Sequence, residues 1–128
     1  MSDSHYHIPA RKTRYRDQWD RSILYDSILE ARMARILDRA AIEFEAHVLF
    51  EDLRTPEHKL FSYTLDFVFK KPQKFVGIPD ILNGIEIKGA LTRHDMIRID
   101  ALEYFKGVKA WIVGDMMIDF WEREGAKK

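Results

Sequence analysis

The sequence predicts an α/β (α+β) domain whose elements follow in the order α-β-β-β-α-β. Two observations carry most of this prediction. From about Asp17 to Ala41, apolar residues recur at three- and four-residue steps, which is the spacing of one helix face. Ser62–Phe69 alternates apolar and polar side chains as a strand does, and Gly84–Gly89 contains a shorter run of β-formers. We therefore expect a mixed central sheet flanked by helices.

The first half of the chain is predicted to hold a long helix followed by a strand. The apolar stripe of the Asp17–Ala41 helix consists of Ile23, Leu29, Met33, Ile36, Leu37 and Ala40. Phe44–Phe50 is predicted to be a strand, and Leu53–Lys59, which contains Pro56, a loop.

The second half is predicted to hold three strands and a helix. One face of the Ser62–Phe69 strand carries Tyr63, Leu65, Phe67 and Phe69. The composition of Lys70–Asn83 (Pro72, Gly77 and Pro79) is typical of an extended connection or an irregular hairpin. The sequence then predicts a strand over Gly84–Gly89, a helix over Asp95–Phe105 and a strand over Ala110–Val113, whereas Met116–Glu124 fits either a strand or a helix.

Length and composition indicate one domain and exclude several classes of protein. A chain of 128 residues with 46% hydrophobic residues can form a single core. Its apolar runs are too short to span a bilayer, its N-terminus lacks the apolar segment of a secretory signal, and it contains no cysteine. We expect a cytoplasmic protein with a flexible basic arm over residues 1–16 and one folded domain over residues 17–128.

The charge of the chain is balanced but unevenly distributed. The chain has 21 Lys and Arg residues and 21 Asp and Glu residues, so its net charge is zero. A neutral chain is not expected to bind nucleic acid strongly without specificity. Local clusters still decide where a phosphate backbone can lie. The basic residues that form such clusters are Arg11, Lys12, Arg14 and Arg16 in the arm, and Lys70, Lys71 and Lys74 after the long strand.

The most informative short segment is the strand Ile85-Glu86-Ile87-Lys88. Successive strand side chains alternate between faces, so Glu86 and Lys88 point to one side. A carboxylate beside an ammonium suits metal-assisted phosphodiester cleavage, in which the carboxylate holds Mg²⁺ and the cation lies near the attacking water. The same pair could also be an ordinary salt bridge on a strand that faces solvent.

Two further acids occupy positions that are costly for a charge. Asp66 lies in the middle of a strand, where Asp is a poor β-former, and Glu30 falls within the apolar arc of the first helix, with Asp26 one turn before it. A metal ion, or a water bound to one, would explain both positions. Alternatively, Asp66 faces solvent on an edge strand and Glu30 extends from the margin of the apolar face.

These residues together resemble the PD-(D/E)xK nuclease superfamily, and within it the phage endonuclease I family of Holliday junction resolvases. The resemblance rests on Ser27-Ile28-Leu29-Glu30, followed by Ile42-Glu43-Phe44-Glu45, on Tyr63-Thr64-Leu65-Asp66-Phe67, and on Ile85-Glu86-Ile87-Lys88-Gly89. It spans about residues 22–90. Leu65 replaces the proline of the family pattern, and the longer connection to Glu86 contains a Pro-Asp pair, Pro79-Asp80, which is an alternative to Asp66.

The resemblance implies a restriction-endonuclease-like core and a role for each matched position. Asp66 and Glu86, joined by the carbonyl of Ile87, would bind Mg²⁺ (or Mn²⁺ in its place), and Glu30 would hold a second ion or an outer water. Lys88 would activate the attacking water. It also implies branched or duplex DNA as substrate, a homodimer whose chains can be intertwined, and the host cytoplasm if the gene belongs to a phage.

Several alternatives remain open at this point. The same core also serves restriction-, transposition- and repair-type endonucleases. The chain could instead be a catalytically idle DNA-binding subunit, or a structural α/β protein whose charges form unrelated salt bridges. After the second motif, Arg93 is a candidate phosphate contact, and Asp95 is predicted to cap the following helix.

Overall fold

The computed structural model describes residues 11–127, which contain six strands and three helices. In chain order these are β1 (Thr13–Arg16), β2 (Ser22–Tyr25), α1 (Ile28–Arg39), β3 (Phe44–Arg54), β4 (Leu60–Lys74), β5 (Ile81–Ile87), α2 (Arg93–Lys106), β6 (Ala110–Val113) and α3 (Asp115–Glu124). The mixed α/β class is confirmed. Within residues 11–127, no helix is both long and apolar enough to cross a membrane.

The prediction of one helix over Asp17–Ala41 is wrong in its first part. Strands β1 and β2 form an antiparallel hairpin, and its turn is held by Asp17, whose carboxylate accepts the backbone N–H groups of Trp19 and Arg21 at 3.0 and 3.1 Å. Asp20 takes a left-handed backbone in this turn, with φ of 62°. A helix cannot contain that conformation, so the helical spacing of Ile23 with the later residues was accidental.

The expected flexible arm over residues 1–16 overlaps a strand. Its last four residues form β1, while residues 1–10 lie outside the described part of the chain. Helix α1 begins only after Ser27, whose side chain caps it by accepting the backbone N–H of Glu30 at 3.1 Å.

The other elements follow the predictions with different bounds. Strand β3 continues to Arg54 before a turn, so the predicted loop at Leu53 starts too early. Strands β4 and β5 pair with a register irregularity between Val68 and Gln73, which confirms the irregular-hairpin interpretation. The ambiguous segment Met116–Glu124 is helical, as part of α3.

Four strands form the main sheet in the order β3-β4-β5-β6. The first three are antiparallel neighbours, and β6 lies parallel to β5. Along β6, Ala110 and Ile112 pack in one apolar cluster and Trp111 and Val113 in the other. Since successive strand side chains point to opposite faces, the two clusters lie on opposite faces of the sheet.

The helices are divided between these two faces. Helices α1 and α3 contribute to one cluster, with Met33, Leu37 and Trp121 fully buried, and α2 contributes Ile99 and Leu102 to the other. The alternating residues of β4 are buried as predicted, but they do not all pack in the same cluster. Tyr63 and Leu65 pack with α2, whereas Phe67 and Phe69 pack with α1 and α3. The change of cluster therefore occurs at Asp66.

Candidate active site

Asp66 and Glu86 meet where strands β4 and β5 separate. The last ladder pair toward this end of β5 is Phe67 with Ile85. Beyond it, side chains replace backbone pairing: Glu86 Oε1 accepts the Asp66 N–H at 3.0 Å, and Asp66 Oδ2 accepts the Ile87 N–H at 2.8 Å. Both carboxylates are thus fixed against the opposite backbone at the point where the sheet opens.

Glu30 approaches the strand acids from α1, on the face of the sheet that α1 and α3 cover. It lies in the first turn of α1 and is 7% exposed, so the prediction that it points into the core-facing arc is confirmed. Burial raises the pKa of its carboxyl, and the nearby charges of Asp26 and Glu86 raise it further against the lowering effect of His47. Glu30 also raises the pKa of Asp66, so the three acids share one electrostatic environment.

The two strand acids are difficult to ionise together. Burial is the main cause that raises the pKa of Asp66 to about 6, and the charge of Glu30 adds to it. Burial, followed by repulsion from Asp66, raises the pKa of Glu86 to about 8. In the absence of a cation, Glu86 therefore keeps its proton at neutral pH. A carboxyl pair of this kind is typical of a functional site.

Lys88 lies on the same side of β5 as Glu86, as predicted, but its partner is Asp95. The Nζ atom is 3.4 Å from Asp95 Oδ1, and this carboxylate is 1% exposed. Asp95 also accepts hydrogen bonds from the backbone N–H and the hydroxyl of Thr92, at 2.9 and 2.8 Å. Thr92 is the N-cap of α2 and Asp95 completes the capping box, so the predicted capping role of Asp95 is confirmed at the third helical position.

Two residues near the acids were not singled out from the sequence. Tyr63 belongs to the α2 cluster, and its buried hydroxyl lies close to the Glu86 carboxyl. Burial and the charge of Glu86 raise its pKa. The imidazole Nε2 of His47 lies 3.0 Å from Glu30 Oε1. His47 belongs to no motif, and Tyr63 was predicted only as an apolar residue of its strand. Both reach the site through strand pairing and packing.

The alternative acid Asp80 lies elsewhere. It precedes the first residue of β5, whereas Glu86 lies near the end of that strand, so about 20 Å of extended chain separates them. Asp80 Oδ2 accepts the indole N–H of Trp111 at 3.2 Å and is 3.8 Å from Lys109 Nζ. The choice of Asp66 as the partner of Glu86 agrees with this placement.

The basic residues predicted to contact DNA form two surface groups outside the acidic centre. Those of the β1 hairpin have local partners: Lys12 lies 3.4 Å from Asp26, Arg16 pairs with Asp20, and Arg14 donates to the Ser22 carbonyl. In the second group Lys70 is 3.2 Å from Glu43 and Lys74 donates to the Ile78 carbonyl. The remaining predicted contacts, Arg11, Lys71 and Arg93, are exposed.

No known protein family, curated protein or solved structure matches this chain. The resemblance to PD-(D/E)xK nucleases therefore rests on the residues themselves and on their positions in a mixed four-stranded sheet. Because one fold can serve many functions, function is argued below from the site.

The donors at this site fit a divalent cation. Asp66 and Glu86 offer only oxygen, which is the ligand type that Mg²⁺ prefers. The ligand atoms of Glu30 do not lie within 4.8 Å of both of these acids, so Glu30 acts on the pair through its charge. None of the ion pairs within residues 11–127 includes Asp66 or Glu86. Buried acids in direct contact need either protons or a cation, and a cation would bring the pKa values of both carboxyls down.

Proposed function

We propose that this protein is a Mg²⁺-dependent endonuclease that hydrolyses DNA phosphodiesters and acts on four-way junctions as a homodimer. The observation that supports it best is the contact between Asp66 and Glu86 at the opening of the sheet, where the charge of Glu30 also acts on Asp66. None of the ion pairs among residues 11–127 gives either strand acid a basic partner. Such a centre is costly for an idle binding subunit, because uncompensated acids repel the phosphate backbone.

In this proposal, each residue of the centre has a defined task. Asp66 and Glu86 would hold the cation, with the Ile87 carbonyl adjacent in the chain, and Glu30 would hold a second ion or an outer water from α1. The hydrogen bonds to the N–H groups of Asp66 and Ile87 fix the orientation of both strand carboxylates before any ligand binds. A bound cation supplies a more acidic water and neutralises charge that develops on the phosphoryl oxygens.

Lys88 is the residue proposed to act on the attacking water. Its ammonium lies on the same side of β5 as Glu86, and the buried carboxylate of Asp95 fixes its direction. From there it donates a hydrogen bond to the attacking oxygen or to a phosphoryl oxygen, which stabilises negative charge at the reacting centre. Attack of the water on phosphorus breaks the bond to the 3′ oxygen; the proton of the water passes to solvent and the 3′ oxygen takes a proton from solvent. The products are a 5′-phosphate and a 3′-hydroxyl.

The junction substrate and the dimer are proposed together. A junction resolvase cuts two strands that are placed symmetrically about a branch point, and a chain with one centre achieves this as a two-fold dimer. The β1 hairpin and the Lys70–Lys74 surface carry the basic residues that would lie along phosphates, so recognition would depend on DNA shape rather than on base edges.

Cleavage of defined substrates tests the proposal. The full chain is incubated with an immobile four-way junction and with a linear duplex of matched sequence, in Mg²⁺ and separately in Ca²⁺. Glu86→Ala is the inactive variant, and Glu51→Ala, an exposed acid on β3, is its matched control. We expect paired, symmetric cuts near the branch point in Mg²⁺ by the wild type and by Glu51→Ala.

Other outcomes would correct the proposal in separate ways. Equal cutting of the duplex would retain the active centre and remove the junction substrate. Full activity of folded Glu86→Ala would contradict the assignment of the centre. If no divalent ion supports cleavage of either substrate, the protein is not a nuclease, and DNA binding without cleavage becomes the better account.

A further inference from the structure

A second group of ligand atoms adjoins the acidic centre. Asp26, Glu30 and His47 each offer one atom, and these atoms lie within 4.8 Å of one another. His47 Nε2 is 3.0 Å from Glu30 Oε1 and 3.8 Å from Asp26 Oδ2. Atoms bound about 2.1 Å from one ion lie roughly 3.0 to 3.4 Å from each other. The spacing of His47 and Glu30 already fits this range, whereas the exposed Asp26 side chain would move closer to bind the same ion.

The position of His47 depends on an unusual backbone within β3. The pairs Ala46 with Phe67 and Val48 with Leu65 place His47 across from Asp66, but the two residues are not themselves paired. His47 has a φ of 55°, which a non-glycine residue seldom adopts in a strand. Its ring packs near that of Tyr25, with 6.0 Å between the centroids. The imidazole is thereby held beside the start of α1.

The three ligands differ in exposure in a way that suits a metal ion with access to water. Glu30 is buried, the His47 side chain is 28% exposed and that of Asp26 is 61% exposed. Two protein ligands are therefore held by the fold, while the third lies at the surface, where waters could complete the coordination. Asp26 also pairs with Lys12, but at 3.4 Å on an exposed surface, where such a pair contributes little.

We propose that Asp26, Glu30 and His47 bind a divalent transition-metal ion, such as Zn²⁺, at a position distinct from the Asp66–Glu86 pair. The choice of metal follows from the donors. Imidazole nitrogen favours transition metals, whereas Mg²⁺ takes oxygen ligands and retains its waters. The position shares Glu30 with the proposed nuclease centre, but the binding of the ion does not require that the protein cleave DNA.

Isothermal titration calorimetry without DNA tests this inference. The full chain, free of any affinity tag, is titrated with ZnCl₂ and with MgCl₂. We expect one equivalent of Zn²⁺ to bind at least tenfold more tightly than Mg²⁺. His47→Asn should weaken Zn²⁺ binding by at least about 10- to 100-fold, the range seen when supporting groups of metal sites are removed. Asn also tolerates the left-handed backbone at this position.

Three further variants make the result specific. His58→Asn is the matched control, because His58 is exposed and has a φ of 67°, and it should bind Zn²⁺ like the wild type. Asp26→Asn alters an exposed ligand and leaves the core intact, and it should also weaken Zn²⁺ binding. Asp66→Asn should retain Zn²⁺ binding while it removes Mg²⁺-dependent cleavage. A visible absorption band with Co²⁺, absent in His47→Asn, would give a second readout.

Three results would overturn the inference. Absence of Zn²⁺ binding by the wild type would mean that His47 serves only to orient Glu30. Zn²⁺ binding unchanged in both His47→Asn and Asp26→Asn would place the ion elsewhere in the chain. Loss of Zn²⁺ binding in Asp66→Asn would mean that there is one shared centre and no distinct position. None of these results depends on whether the protein is a nuclease.

Discussion

Replacing Glu86 by Gln should reduce the loss of stability that the metal-free protein shows as the pH rises. The raised pKa of Glu86 means that the folded state keeps a proton that the unfolded chain releases. A raised acid pKa therefore favours the folded state at low pH, and this contribution is lost as the pH rises toward 8. Gln has the same shape, can still accept the Asp66 N–H, and does not titrate.

The magnitude follows from the interval between the two pKa values. Glu86 titrates near 4.5 in the unfolded chain and at about 8 in the folded protein. Within this interval each pH unit lowers the free energy of unfolding by about 1.4 kcal/mol. Between pH 5 and pH 7 the wild type should lose about 3 kcal/mol through Glu86 alone, and the Gln variant should lack this part of the loss. Asp66, whose pKa is raised to about 6, adds a smaller loss of the same sign in the wild type.

Urea unfolding in EDTA, followed by circular dichroism at pH 5, 6, 7 and 8, measures this difference. The slope with urea should be the same for both proteins, so that the midpoints report stability. Glu51→Gln, an exposed acid on β3, controls for the loss of a surface charge. Equal pH dependence in the wild type and in Glu86→Gln would refute the description of Glu86 as a buried acid that keeps its proton.

Three further predictions concern the residues that support the centre. Gly84→Ala should lower the free energy of unfolding by about 1–3 kcal/mol in urea unfolding, because a Cβ there would lie 2.5 Å from the Phe67 carbonyl oxygen and 2.7 Å from Leu65 Cδ2. A stable Gly84→Ala protein would show that β4 and β5 can move apart. Thr92→Ala should cost about 1 kcal/mol in the same measurement through the lost cap of α2, and Thr92→Ser should restore it. Lys88→Met should lower the free energy of unfolding, because it removes a partner of the buried Asp95 carboxylate, and should cleave DNA at least about 100-fold more slowly. Unimpaired cleavage by the folded variant would remove Lys88 from the mechanism.

The parts of the fold that were predicted correctly are those with local periodicity. The alternation of the long strand predicted that Leu65 and Phe67 are buried and that Asp66 lies between them, and helical spacing predicted the burial of Glu30. Both periodicities follow from where the Cβ atoms point, which depends on the local backbone alone. Neighbouring residues could therefore supply these predictions without knowledge of the tertiary structure.

The parts that were missed depend on contacts between distant segments. The β1 hairpin is set by the carboxylate of Asp17 in its turn, and its apolar residues happened to continue the spacing of α1. His47 is brought to Glu30 by the pairing of β3 with β4, and Lys88 is directed by Asp95 on the next helix. Strand register and helix packing place these side chains. Both depend on segments that are distant in the sequence, so the sequence of one segment does not reveal them.

The most direct test of the central claim is cleavage of end-labelled junction DNA under single-turnover conditions by the wild type, Asp66→Asn, Glu86→Gln and Glu51→Gln. We predict Mg²⁺-dependent cuts that leave 5′-phosphates in the wild type and in Glu51→Gln, and no cuts in the two variants of the strand acids. Cleavage by folded Asp66→Asn and Glu86→Gln at the wild-type rate would contradict the claim that these two carboxylates form the catalytic centre.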